Sequence, residues 1–204
     1  MRATLIDAFR HESVRFAVAI DQGDDVARKI VAYELLSLDG VAEDPDQFIT
    51  EWDDAMDENL ARVIASQDAV ILGRRTYEEW AAFWPTSEIE PFATFINGVD
   101  KYVVTSATPE DLWANTMAIE QGQLEFIGAL KEQAGSDIGL HGSIALTGAL
   151  LKVGLVDEIR LVIAPALQGR GRRLFDSGRN TRLTLTRSVV SPSGYLLLDY
   201  EVKQ

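Results

Sequence analysis

The feature that most restricts how this chain can fold is an alternation of β-favouring runs and helical patterns across residues 29–167, followed by two β-runs separated only by a turn. KIVAYELLS (29–37) is a nearly continuous apolar run, as a strand covered on both faces requires. Trp52, Met56, Leu60, Val63 and Ile64 then recur on one helical face, with Thr50 placed to cap that helix. DAVILG (68–73) reads as a buried strand ending in Gly, and residues 76–83 as a helix stopped by Pro85. Residues 92–96 suit a short helix, and KYVVTS (101–106) and NTMAI (115–119) suit strands. Leu124, Ile127 and Leu130 mark a helix ended by Gly135. DIGLHG (137–142) is a strand, 144–153 a helix with Gly154 past its end, and DEIRLVIAPAL (157–167) a strand. TRLTLTRSVV (181–190) and YLLLDYEV (195–202), parted by SPSG, form an antiparallel hairpin. Crossover helices between strands demand a mostly parallel sheet with helices on both faces, a three-layer αβα arrangement. Residues 29–204 contain no linker and read as one α/β domain. Residues 1–28 read as a polar extension, either a lid, a dimer arm or a loose tail.

Composition narrows the functional classes. A chain of 204 residues buries roughly 70% of its unfolded surface, enough for a core without staples. The formal charge is −13, which duplex nucleic acid and an anionic membrane surface both repel, so neither is an expected partner. There is no cysteine and there are only two histidines, which removes thiolate chemistry and a multi-histidine zinc site; no metal is expected. No run approaches the ~18 consecutive apolar residues of a spanning helix. The first residues lack a secretory apolar core, so the expected location is cytoplasmic.

Ligands of open α/β sheets bind beyond the carboxyl ends of the strands, and two junctions there stand out. One is Gly73-Arg74-Arg75-Thr76 and the other is His141-Gly142-Ser143, each between a strand and a helix. Each offers a glycine for close backbone approach and aims the positive end of a helix dipole outward. Two such cradles suit the phosphates of a dinucleotide, and Arg74 or Arg75 suits a 2′-phosphate, which favours NADPH over NADH. For either junction alone, a tight turn beside solvated arginines explains the residues equally well. Neither junction is a G-x-G-x-x-G or a P-loop.

The loop after the first strand is Ser37-Leu38-Asp39-Gly40, with a turn-permitting Gly and two hydrogen-bonding side chains. From Asp39 to Glu58 there are nine acids and no Lys or Arg. Most of these acids suit a solvated loop near a helix start. Asp39 is the exception, as a residue that orients substrate or relays a proton. Trp52, Trp80, Trp84 and Tyr77 are either aromatic walls for a flat heterocycle or core packing. His141 reads as a strand-end residue with a satisfied hydrogen bond. Six arginines from Arg170 to Arg187, against the single acid Asp176, suit a substrate phosphate, a second subunit's acidic face, or plain solvation.

Taken in order, SLDG, ILGRRTYE, KYVVTS and LHGSIALTGALLKVGLVDEIRLVIAPALQGRGRRLF resemble the dihydrofolate reductase superfamily, over residues 29–202. Within it they look most like the reductase domain of bacterial riboflavin biosynthesis, the RibD C-terminal domain. The resemblance implies a dihydrofolate reductase-like fold, a mixed and mostly parallel sheet with a C-terminal antiparallel hairpin, and NADPH as cofactor. It places Gly73, Arg74, Arg75 and Thr76 on the cofactor's phosphates and Thr105 and Ser106 near its adenosine end. Gly142, Ser143 and Ile144 would meet the pyrophosphate, where many relatives have Gly-Gly at the first two positions. Ser37, Leu38, Asp39 and Gly40 would border the nicotinamide and the substrate, with Trp52 and Trp84 lining the substrate side. Glu51, Asp53 and Asp54 compete for the carboxylate that dihydrofolate reductase uses. The zinc-deaminase signatures H-x-E and P-C-x-x-C are absent, so only a reductase half is implied. A homodimer is implied as well.

The leading expectation is an NADPH-dependent reductase of a small pterin- or aminopyrimidine-like substrate, of the 5-amino-6-(5-phosphoribosylamino)uracil reductase kind. Its rivals are a nucleotide-binding module without turnover and a dimeric interaction protein.

Overall fold

A computed structural model describes residues 27–109, 112–175 and 180–203. Its elements run β1 (Ile30–Ser37), α1 (Asp54–Ile64), β2 (Gln67–Gly73), α2 (Arg74–Phe83), α3 (Phe92–Gly98), β3 (Asp100–Val104), β4 (Thr116–Ile119), α4 (Gln123–Lys131), β5 (Asp137–His141), α5 (Ile144–Lys152), β6 (Glu158–Ala164), β7 (Arg182–Val190) and β8 (Leu196–Lys203). The strands form one sheet in the order β4-β3-β2-β5-β1-β6-β8-β7. The first six in that order are parallel, β8 runs antiparallel to them, and β7, antiparallel to β8, returns to their direction.

The two helical layers follow from alternation along the strands. Ile30, Ala32, Ala69, Ile71, Ile138, Leu140, Ile159 and Leu161 face one way and pack with Ile127 and Leu130 of α4 and Leu150 of α5. On the other face Tyr33 and Val162 pack with Met56 and Val63 of α1, while Val70, Leu72 and Val103 pack with Tyr77 of α2 and Phe92 and Ile96 of α3. The chain is thus a three-layer αβα domain with a mixed sheet and a C-terminal hairpin, as its patterning requires.

The crossovers create one reversal. The chain leaves β1 and β2 through helices on one face, whereas it leaves β5, which lies between them, through α5 on the other. Adjacent strand ends therefore open to opposite sides, and that is where a crevice forms in such sheets.

Several boundaries differ from those expected. Asp53, not Thr50, caps α1, its Oδ1 accepting from Met56 N–H at 3.0 Å. The Thr50 N–H goes instead to the Tyr195 hydroxyl. β3 stops at Val104 because Thr105 turns onto its own segment, donating to Ala107 O at 2.7 Å. β6 ends at Ala164, before Pro165. α4 is capped at Glu132, ahead of Gly135. Gly135 serves another purpose: a Cβ there would meet the ion pair of Arg28 and Asp68 at 2.8–2.9 Å. Arg28 is buried and also donates to Ser136 O, so the folded unit includes it. The rest of the expected extension, residues 1–26, lies outside the described residues.

A second space-making glycine is Gly139 in β5. Above it the Gln67 side chain bonds His141 Nε2 at 2.8 Å, and a Cβ on Gly139 would collide with Gln67 Oε1 and come within 2.7 Å of His141 Nε2. Gly139→Ala is expected to cost about 1–3 kcal/mol, the usual penalty of overpacking. Urea unfolding at constant m-value checks this, and an unchanged midpoint would contradict it.

Candidate functional site

The carboxyl ends of β3, β2, β5 and β1 lie side by side, so the expected site residues form a row in sheet order. Thr105 and Ser106 follow β3, Gly73 to Thr76 follow β2, Gly142 to Ile144 follow β5, and Ser37 to Gly40 follow β1. Three inter-strand steps make this row ~14 Å wide, the scale of an extended dinucleotide.

The two glycine junctions are neighbours joined by Ser143. Its Oγ accepts from Gly73 N–H at 2.9 Å and donates to Thr76 Oγ1 at 3.1 Å. Thr76 Oγ1 donates in turn to Gly142 O at 3.5 Å. Ser143 therefore ties the two turns together. Neither helix start is capped by a side chain of its own: the N-cap of α2 is Gly73, and Ser143, at the N-cap of α5, spends its hydroxyl across the sheet. Two positive dipole ends thus sit beside each other. Gly142 is needed for its backbone, at φ +61 with the Trp80 ring 3.6 Å from a hypothetical Cβ. Gly73 is not needed that way, since its φ is −76 and a Cβ would make only ordinary contact with Ser143.

Arg74 and Arg75 extend from the first turn of α2, half or more exposed. They pair with Glu78 and Glu79 one turn on, and Arg75 also reaches Glu43 at 3.5 Å. Exposed pairs of this kind are worth little, so both guanidinium groups can exchange partners for an incoming phosphate.

Asp39 acts as a latch. Its carboxylate accepts from Ser37 Oγ at 2.7 Å, Gln168 N–H at 3.0 Å and Gly169 N–H at 2.9 Å, binding the loop after β1 to the loop after β6. These donors, Ser37 first, hold it down to about 2. Asp39 is consequently a carboxylate at neutral pH, suited to positioning and not to proton donation. Ser37 is buried in the same turn, accepting from Val41 N–H, while Gly40 adopts φ +82 and Leu38 points outward, 60% exposed. Of the other acids, Asp53 is taken up by its cap and by Ser193, which hold it well below the usual carboxylate range.

The arginine-rich loop pairs within its own chain. Arg172 Nε donates to Glu43 at 2.7 Å, and Arg173 Nε donates to Asp39 O at 2.9 Å. The acidic and basic segments therefore neutralise one another here. Residues 176–179 lie outside the described residues.

Not every expected residue reaches the row. Thr105 is buried with its hydroxyl used in its own turn, leaving its exposed neighbour Ser106 as the accessible group. Trp52 is 40% exposed and donates to Asp57. Trp84 follows the ten residues of α2, about 15 Å from that helix's start, and packs on Trp80, Phe83 and Phe92. Trp80 is the aromatic that meets Gly142. His141 has its expected hydrogen bond, but inward, to Gln67, within a ring of Tyr33, Trp80, Phe92 and Phe95. Burial pushes it down to about 3, so it is neutral.

Sequence patterning overlooks Glu34, which sits inside an otherwise apolar strand. It is 2% exposed, and its Oε1 accepts from Thr147 Oγ1 of α5 at 2.8 Å. Burial pushes it up to about 8. Among the described residues no group of three or more His, Cys, Asp or Glu could hold a metal, and no helix is long and apolar enough to cross a membrane.

The family model of the RibD C-terminal domain matches residues 28–197. The uncharacterized protein YwjB of Bacillus subtilis (strain 168) is 30% identical over 164 residues, covering 78% of this chain and 89% of that one. A candidate riboflavin biosynthesis protein from Shewanella sp. PV-4 superposes with a TM-score of 0.71 at 16% identity, covering 86% of this chain and 99% of that one. A diaminohydroxyphosphoribosylaminopyrimidine deaminase/5-amino-6-(5-phosphoribosylamino)uracil reductase from Thermotoga maritima gives 0.61 at 13% identity, over 87% of this chain and 57% of that one. At such identities the two structures bear on the fold alone.

Two predictions follow from the buried and latched groups. Glu34 is neutral when folded and ionises when unfolded, so its contribution is complete below about pH 4.5 and is lost as pH rises through about 8. Glu34→Gln is expected to remove that loss, on the order of 4 kcal/mol between pH 5 and pH 9, in denaturant midpoints measured across the range; parallel curves for the two proteins would contradict it. Asp39→Ala is expected to speed amide exchange at Gln168 and Gly169 at least about tenfold by releasing the latch. Unchanged protection there would contradict the latch.

Proposed function

We propose that this chain, which belongs to the RibD C-terminal domain family, is an NADPH-dependent reductase of a small, flat, pterin- or aminopyrimidine-like substrate. The observation that carries this reading is the pair of uncapped helix starts on adjacent strands, tied by Ser143 and flanked by Arg74 and Arg75. The residues present fit the cofactor. The backbone at Gly142, Ser143 and Ile144 and at the start of α2 would hold the pyrophosphate, and Arg74 and Arg75 the 2′-phosphate. Ser106 would lie toward the adenosine. NADPH would supply the hydride. The protein would supply position and field: Asp39 fixes the β1 loop so that the turn at Gly40 and the outward Leu38 border the reacting face.

The substrate class comes from the family and from the structurally similar Thermotoga maritima protein, a deaminase and 5-amino-6-(5-phosphoribosylamino)uracil reductase. The reading also includes a cytoplasmic homodimer. The outer strand β7, with Leu183, Leu185 and Val190 exposed, supports the second copy.

A nucleotide-binding module without turnover is the second reading, favoured by one observation: the acid nearest the β1 turn holds no proton to give. Binding without loss of reduced-cofactor absorbance across pterin and aminopyrimidine substrates would select it.

NADPH at a hundredfold its dissociation constant is expected to raise the melting temperature by about 5 °C or more. No shift at millimolar NADPH would overturn the reading. Arg74→Ala/Arg75→Ala is expected to weaken NADPH at least about tenfold and leave NADH nearly unchanged, since only the 2′-phosphate loses its partner. Equal weakening of both would refute the assignment of these arginines.

A further inference from the structure

Glu34 has no role in the latch or in the row of strand-end residues, yet it lies directly beneath one cradle. The β1–β5 ladder ends with Tyr33 opposite His141, and Glu34 and Gly142 are the next residue on each side. Its carboxyl group points to the α5 side, between Ala32 and Leu36 on its own strand and next to Leu161 of β6. Thr147, its hydrogen-bond partner, is in the first turn of α5 and bonds through its N–H to Ser143 O at 2.9 Å. One helical turn, about 5.4 Å, separates this carboxyl from the helix start that would hold the pyrophosphate.

We propose that Glu34 sets the charge of the α5 cradle: the cradle accepts a dinucleotide pyrophosphate while Glu34 carries its proton and loses that affinity when Glu34 ionises. This rests on the reading of the α5 start as the pyrophosphate site. A helix start presents one positive dipole end, and a carboxylate one turn below it both takes up that field and repels a phosphate above. The coupling is reciprocal, so bound pyrophosphate also holds the proton on Glu34 more firmly.

Among the described residues Glu34 is alone in this role. On β1 the neighbouring Tyr33 faces the opposite layer, packed on His141 of β5, which is itself turned to Gln67. Asp137 is at the far end of β5, Glu158 at the far end of β6 pairs with both Lys29 and Arg160, and Arg160, in register with Tyr33, faces the opposite layer. On α5 the charged residue is Lys152, at the opposite end of the helix. From the outer side of the same layer Tyr200 of β8 packs on the core cluster, and Lys131 of α4 pairs with Asp157. The causes of Glu34's displacement are accordingly burial, which raises it to about 8, and the Thr147 hydroxyl, which opposes that rise.

The test is the dissociation constant of NADPH, measured by calorimetry from pH 7 to pH 9.5, for the wild type, Glu34→Gln and Thr147→Val. A charge about 10 Å from the pyrophosphate predicts wild-type affinity falling about tenfold or more over this range. Glu34→Gln should stay flat, which also controls for Lys101, pushed down to about 8 by burial at the far end of β3. Thr147→Val removes a donor to the carboxylate and should move the fall to higher pH. A flat wild-type profile, parallel falls in wild type and Glu34→Gln, or an unmoved midpoint in Thr147→Val would overturn this inference and leave the cofactor reading intact. Failure to bind NADPH at every pH would overturn the cofactor reading and this inference together. Should Glu34→Gln not fold, the Thr147→Val midpoint decides alone.

Discussion

The insertion of β5 between β1 and β2 is the constraint on which the rest of the structure depends. Because β5 hands the chain to α5 on one face while its two neighbours hand theirs to helices on the other, three strand ends meet at the switch point where such sheets bind ligands. Parallel pairing brings Gly73 and Gly142 to the same edge, and Ser143 fixes their separation through Gly73 and Thr76. Without that order the glycine junctions would be two unrelated turns.

The same insertion accounts for the buried polar groups. A strand covered by helices on both faces leaves little room for polar side chains. His141 Nε2 bonds Gln67 Oε1 over Gly139, and Glu34 meets Thr147 under α5, while Gln67 Nε2 is buried without a partner among the described residues. The two titratable groups act in opposite directions. His141, neutral when folded, favours the fold above its ordinary pKa and loses that contribution as pH falls toward about 3. Glu34 loses its contribution as pH rises toward about 8. The two windows overlap between about pH 4.5 and 6.5, where these two contributions offset one another and their sum is greatest.

Much of this was legible in the residues. The alternating runs fixed element type and order, because a strand buried on both faces and an amphipathic helix have different periods. The glycine junctions and the SLDG turn were recognisable from local chemistry alone. Helix starts and strand ends were less legible, since they depend on partners far along the chain: Tyr195 takes the Thr50 N–H and leaves the cap to Asp53. Side-chain roles were least legible. Asp39 and the arginines of the loop after β6 found each other across more than a hundred residues, which no local pattern announces. Trp84 and Trp80 are interchangeable by composition, and only the helix's position over β5 brings Trp80 to Gly142. A single Glu in an apolar strand was the one available sign of Glu34.

The central claim is that the turns at Gly73 and Gly142 share one pyridine nucleotide. A crystal structure of the protein with NADPH tests it most directly. The account requires the pyrophosphate to lie between the start of α2 and the start of α5, with the adenosine toward Ser106 and the nicotinamide toward the Ser37–Gly40 turn. A nucleotide seated elsewhere, or spanning only one of the two turns, would contradict it.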